Sequence, residues 1–297
     1  MDTSITAAQA QARGWRAIYF NAASIPYWGL HAGAIYGAIH VGVTWAAVLW
    51  ALGMYAVRLF FVTAAYHRYF SHRTFKTSRW FQFVLALGAQ ATGQKGVLWW
   101  AGHHRRHHKH SDTELDVHSP YQGGFWWSHM GWMMGRDFEG TDEAVVKDFA
   151  KYPELRALER CWFVTPVVVG VVTWLVGGTW ALVWAFAVPQ VLSWHGTFTI
   201  NSLSHVWGSR RYASGDDSRN NPVLALITLG EGWHNNHHHY QSSARQGFFW
   251  WEVDITYYGL KLLESVGLVW DVRGVPEHIR AGTRKAAAEG DTISLTG

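Results

Sequence analysis

The sequence predicts an all-α integral membrane protein with four transmembrane helices in two hairpins and a polar, histidine-rich helical cap on the cytoplasmic side. Three observations carry this. Only 15% of residues are Asp, Glu, Lys or Arg, against roughly 25% in soluble domains, while 20 Trp and 15 Phe make the chain unusually aromatic. Two stretches are each long enough to cross twice a hydrocarbon core that takes roughly 20 helical residues per crossing. Residues 27–66 hold Arg58 as their only ordinary charge, and residues 161–200 hold none. Finally, Arg13, Arg16, Arg68, Arg73, Lys76, Arg79, Arg210 and Arg211 all flank the same ends of these stretches, which places both termini and the middle segment in the cytoplasm. In a bacterium the membrane would be the plasma (inner) membrane.

In chain order, residues 1–24 are an Ala- and Gln-rich lead-in, and 25–272 form one membrane domain. Spans are expected at about 27–46, 48–66, 161–177 and 179–201, with the cap at about 67–160 and 202–272 and a C-terminal tail at 273–297. The first turn is expected near Trp50 to Gly53 and the second at Gly177-Gly178-Thr179, where glycine releases the helical constraint. Residues 80–94 suit a buried or interfacial helix better than a span, and the Trp- and Phe-rich stretch 247–270 suits a helix lying among headgroups. The first apolar run lacks a secretory cleavage pattern. The single cysteine, Cys161, excludes an intramolecular disulfide or a four-cysteine metal site. A net charge of only +4, without a basic tract, disfavours nucleic acid as a partner.

The chemistry lies in the 18 histidines, most of which are clustered. His67 and His72 follow the second span, His104, His107 and His108 lie in the polar middle, and His205 ends the fourth span with Asn201 one turn before it. His234, His237 and His238 form the last cluster. Residues three and four apart share a helix face, so each His-x-x-His-His triplet is expected to present its imidazoles together. His67 and His72 stand about 140° apart on a regular helix, so one sits past the helix end or they serve different metals. Nine imidazoles exceed the coordination of one transition ion, and two ions are the minimum. Structural and catalytic zinc sites use fewer ligands, whereas redox chemistry gives a reason for a pair. Asp112, Glu114, Asp116, Glu231 and Glu252 are placed to orient the rings. His31, His40, His103, His110, His118, His129, His195, His239 and His278 read as ordinary buried or surface residues.

His-Arg-Tyr-Phe-Ser-His-Arg-Thr at 67–74, Asn-Ser-Leu-Ser-His at 201–205 and Gly-Glu-Gly-Trp-His-Asn-Asn-His-His at 230–238, with the hairpins between them, resemble the membrane acyl-CoA desaturases of the stearoyl type. The resemblance covers roughly residues 25–272. It implies a cap holding two Fe2+ ions that use O2, the nine clustered histidines as ligands with Asn201 acting through water, and no catalytic side chain beyond the metal centre. It also implies a bent tunnel with Gln94 and Thr197 at the bend and Phe198 in place of a tryptophan. The expected product carries a cis double bond, at delta-9, in a C16 or C18 acyl chain. The animal enzymes hold coenzyme A with an Arg-Asp pair where this chain has Gly102 and His103. That leaves the carrier open between CoA, which the resemblance favours, and a membrane lipid or carrier protein. Lys95 and Arg68 are candidates for a phosphorylated headgroup, beside an ordinary role as membrane-edge anchors. Electrons would come from a separate protein, a ferredoxin or a b-type cytochrome with its reductase. The rival readings are a hydroxylase on the same scaffold and a membrane metal carrier.

Overall fold

A computed structural model describes residues 5–282. The fold is mostly helical. Helix α1 (Ile25–Val41) carries Pro26 in its first turn and stops at Gly42, whose φ of 81° is open to glycine at no steric cost. Thr44 then caps α2 (Trp45–Phe60), its Oγ1 accepting from the Ala47 N–H at 3.2 Å. The first reversal therefore lies at residues 42–44, ahead of the expected position. Gly53 stays inside α2, because it has neither a left-handed φ nor a capping side chain after it. Beyond Phe60 the helix does not end but widens into a π-helical stretch, Phe61–Ser71, so that Trp45–Ser71 is one 27-residue rod.

Two helices of the cap pack on the end of this rod: α3 (Arg79–Gln90) and α4 (Val97–His110). Leu85 and Ala89 of α3 and Leu98 of α4 meet Tyr66 and Phe70 in the largest apolar core, while Trp80 stays on the surface. After α5 (Pro153–Arg160) come α6 (Val164–Ala181) and α7 (Val188–Val206), linked by a second π-helical segment, Leu182–Ala187. Helical hydrogen bonding is nearly continuous over Val164–Val206, yet the chain reverses at Gly178 (φ 63°, ψ −159°). In a straight helix residues 170 and 186 would lie about 24 Å apart. Instead, a methyl group placed on Gly170 would touch the Phe186 ring at 3.1 Å.

Trp45–Ser71 and Val164–Val206 are the two stretches long and apolar enough to cross a membrane among the described residues. Only 33% and 17% of their most apolar windows are buried, which separates them from the core helices of a soluble domain. Leu49, Val171 and Val176 point outward at 67%, 50% and 84% exposure. A helix is found in only part of the stretch 247–270, as α9 (Ile255–Ser265), with Leu260 buried and Leu262 exposed. Before it lies the short α8 (His234–His239). A two-residue antiparallel pair, β1 (Lys76–Thr77) with β2 (Val269–Trp270), fastens the C-terminal part to the first histidine cluster.

Arg68 holds these parts together from the inside. It is 1% exposed, not a headgroup contact, and donates to Glu231 at 2.9 Å and to the Ala244 carbonyl at 2.7 Å, with Asp254 at 2.9 Å. Burial alone would discharge such groups. The hydrogen bond from His67 and the Arg68 guanidinium nevertheless hold the Glu231 carboxyl down at about 2. Removing one partner of a buried ion cluster costs about 3–5 kcal/mol. Arg68→Met is therefore expected to lower the thermal midpoint of the detergent-solubilised protein sharply, and an unchanged midpoint would dismiss the clamp. Because the folded-state carboxyl is depressed, the Glu231 contribution is complete above the ordinary glutamate range near pH 4.3 and fades as pH falls toward about 2.

Candidate metal centre

The π-helical turn solves the spacing of the first cluster. In such a turn residue i+5 stacks over residue i, and the His72 N–H donates to the His67 carbonyl at 3.2 Å. The two rings therefore face the same space, with centroids 4.9 Å apart. The last two turns of α4 supply His104, His107 and His108, the end of α7 supplies His205, and α8 supplies His234, His237 and His238. The nine sort into two groups whose ring nitrogens lie within 4.8 Å of one another: His67, His72, His104, His108 and His237 in one, His107, His205, His234 and His238 in the other. Each triplet thus straddles both groups rather than serving one. His104 and His108 look one way while His107, 100° around the helix from His108, looks the other.

Within the groups the Nε2 atoms face one another. His72 and His104 approach to 2.8 Å, His67 and His237 to 3.0 Å, and His205 and His234 to 3.1 Å. Carboxylates behind several rings fix which nitrogen carries the proton. His107 Nδ1 meets both oxygens of Asp116 at 3.0 Å, His205 Nδ1 meets Asp112 at 2.8 Å, His238 Nδ1 meets Asp216 at 2.5 Å, and His67 Nδ1 meets Glu231. An ionised carboxylate only accepts, so these Nδ1 atoms donate and leave their Nε2 lone pairs pointing inward. His238 Nε2 has no partner among the described residues. Burial, and then the neighbouring imidazoles, push His72, His104, His108, His234 and His237 well below the ordinary histidine range. Neutral rings with converging lone pairs repel until a cation lies between them, so the clusters fit a metal centre.

Of the carboxylates expected behind the rings, Asp112, Asp116 and Glu231 are there. Glu252 instead pairs with Arg211 and accepts from Asn236, and Glu114 is exposed. Asp216 was not anticipated, because it lies in a polar loop with no helical register to a histidine. His118, read as ordinary, stacks on His107 at 4.2 Å and shares the Asp116 group, and burial holds it down at about 3. His103 is buried against Trp99 and Trp132 and is likewise held near 3 by burial.

A small cavity of about 30 Å³ adjoins both groups, lined by His67, His104, His107 and His234 together with Leu59, Thr63, Thr197 and Asn201. A far larger cleft, about 1150 Å³, runs from Lys95, Glu139 and Glu159 between α1 and α6 to Gln190, Trp194 and Phe198 on α7. The Gln94 amide, in the cleft wall, donates to Thr197 Oγ1 at 2.9 Å, in the wall of the small cavity, so this bond marks the junction of the two spaces. Lys95 adopts a left-handed φ of 67°, rare for a lysine. Its ammonium lies 4.6 Å from the Trp99 ring centroid, and burial lowers it to about 8. Arg58, in the last turn of α2, is buried where it donates to Gln190 at 3.0 Å and to the Met54 carbonyl at 3.3 Å.

Residues 42–261 match the fatty acid desaturase family profile. The chain is 38% identical to an sn-1 stearoyl-lipid 9-desaturase of Anabaena variabilis over 247 residues, 82% of this chain and 90% of that one. It is 37% identical to the chloroplastic palmitoyl-monogalactosyldiacylglycerol delta-7 desaturase of Arabidopsis thaliana, over 88% of this chain and 70% of that one. An acyl-CoA C20 Delta5-desaturase of Anemone leveillei is also 37% identical, over 74% and 71%. With the family profile spanning most of the chain and the buried imidazoles in two groups, the protein belongs to the fatty acid desaturase family of oxidoreductases.

Proposed function

We propose that the protein is a di-iron delta-9 desaturase of C16 and C18 chains carried on membrane glycerolipids. The observation that carries this is the junction at Gln94 and Thr197, where an apolar cleft meets a cavity walled by both imidazole groups. In this reading His67, His72, His104, His108 and His237 hold one iron and His107, His205, His234 and His238 the other, with Asn201 reaching the second through a water. The same reading takes α1, α2, α6 and α7 as four spans, with the cap and both termini in the cytoplasm.

Sequence similarity to the animal enzymes favours CoA as carrier, but the cleft speaks for a lipid. Its walls include Val167, Val171 and Trp174 of α6 and Phe163 just before it, each at least half exposed. An acyl chain can therefore enter sideways while its headgroup stays in the interface near Lys95. Gly102 and His103, at the positions that bind CoA in the animal enzymes, are internal here. The sn-1 stearoyl-lipid 9-desaturase supports both the carrier and the position.

The overall reaction converts –CH2–CH2– and O2, with two electrons and two protons from outside, into –CH=CH– and two waters. Two irons would supply with O2 an oxidant able to take hydrogen from an unactivated methylene, which no side chain can do. The chain's own residues position and protect. The junction between Gln94 and Thr197 bends the acyl chain so that two adjacent methylenes face the imidazoles, and Trp194 and Phe198 keep water from them. Asp112, Asp116, Asp216 and Glu231 hold the Nδ1 protons of His205, His107, His238 and His67. A separate ferredoxin or b-type cytochrome system delivers the electrons.

Elemental analysis of the purified protein should find two irons per chain. Asp216→Asn, which leaves His238 without its carboxylate, should weaken iron retention about 10–100-fold; a single zinc, or unchanged retention, would overturn the ligand assignment. Reconstituted with ferredoxin, its reductase and isotope-labelled distearoyl glycerolipid, the protein should yield lipid-bound delta-9 monoene. Conversion of stearoyl-CoA with the labelled lipid left untouched would reverse the carrier.

A further inference from the structure

Three histidines outside the metal groups form a chain of their own. His31 on α1 bonds the Tyr27 carbonyl through Nδ1 at 2.8 Å and His195 of α7 through Nε2 at 3.0 Å. His195 Nδ1 meets His129 Nε2 of the cap at 3.0 Å, and His129 Nδ1 meets Ser202 Oγ at 3.0 Å. Ser202 Oγ in turn donates to the Phe198 carbonyl at 2.9 Å. Chain members therefore come from the first span, the fourth span and the cap.

The chain lies directly behind the aromatic wall of the large cleft. His31 packs on Tyr27 at 4.3 Å and on Trp194 at 5.9 Å, and those two rings stack on each other at 5.2 Å. His129 and His195 both meet Phe198 edge to face, at 5.6 and 5.8 Å. Tyr27, Trp194 and Phe198 all line the cleft, and Phe198 follows Thr197 at its junction with the metal cavity. Burial holds His129 down at about 4, so it is neutral at physiological pH. Both nitrogens of each of the three rings meet a polar partner at 2.8–3.0 Å, so every ring is held at two points.

We propose that the His31–His195–His129–Ser202 chain is a positioning device that fixes the aromatic wall and thereby sets which pair of methylenes reaches the metal centre. It rests on the desaturase reading, since it specifies the register of that reaction. A slip of one methylene in an apolar site is worth about 10–200-fold in selectivity, and that discrimination requires a wall that cannot shift by one carbon spacing.

The test is the position of the double bond. His195→Phe and His129→Phe keep a ring but remove the nitrogens, and His195→Gln restores one donor and one acceptor. Each variant and the wild type are assayed for membrane content, iron content and monoene isomers by mass spectrometry of derivatised products. Expected in both Phe variants is a rise of about tenfold or more in the ratio of misplaced to wild-type double bonds, with iron unchanged and the ratio partly restored in His195→Gln. An unaltered isomer profile in both Phe variants at normal iron content overturns the proposal. If one Phe variant fails to accumulate, the other decides; loss of both from the membrane makes the chain a folding element and also overturns it. A wild type that makes no monoene at all refutes the desaturase reading instead.

Discussion

The architecture depends on gathering nine imidazoles into a buried space without paying for nine buried charges. Each ring has to be neutral to offer a lone pair, and each needs its other nitrogen directed away. Asp112, Asp116, Asp216 and Glu231 meet that need for four rings, and their own desolvation is offset by neighbouring cations and N–H groups, as with Arg68 and Glu231. The result is a site that is electrostatically incomplete as a protein. Inward lone pairs 2.8–3.1 Å apart repel, and a cation held by several parts of the chain at once would relieve them. Metal affinity and folding of the cap would thereby be coupled.

This constraint explains local features that would otherwise look like irregularities. A regular α-helix through residues 61–72 would turn His67 and His72 away from each other, and the π-helical widening brings them together at the cost of poorer hydrogen-bond geometry. A triplet such as His104, His107 and His108 cannot direct three rings to one point without distorting α4. Splitting it between the two imidazole groups uses the helical angle as it stands. Each of the two triplets contributes rings to both groups.

Much of the centre could be read from the sequence because its signals are local. Charge-free stretches, helical spacing of histidines and the glycine pair before Thr179 all act within a turn or two of chain. What escaped depends on tertiary contacts. The π-helix has no simple spacing signature, and the turn at Gly42 was masked by apolar residues on either side that could equally continue a helix. Arg68 looked like one more basic residue at a membrane edge until Glu231 and Asp254, far along the sequence, enclosed it. His31, His129 and His195 read as isolated residues because their bonds cross 66 and 164 positions of chain.

The relatives sharpen where specificity has to reside. A stearoyl-lipid desaturase and an acyl-CoA desaturase resemble this chain almost equally, at 38% and 37% identity. The metal cap therefore does not by itself encode what carries the acyl chain or where it is cut into. On the proposed function those choices would fall to the cleft: its mouth at Lys95, Glu139 and Glu159, and its aromatic wall at Tyr27, Trp194 and Phe198. The mouth carries both signs of charge, with the Glu159 carboxylate occupied by the Leu98 and Trp99 N–H groups at the start of α4. On the proposed function, a headgroup docking beside Lys95 would sit at the end of the helix that bears His104, His107 and His108, so the carrier and the imidazole groups would be referred to the same rigid element. The wall would refer the acyl chain to α7, which bears Asn201 and His205. Register along that chain would then be a matter of how rigidly α4 and α7 are held against each other, which the Gln94 to Thr197 bond does from within the cleft.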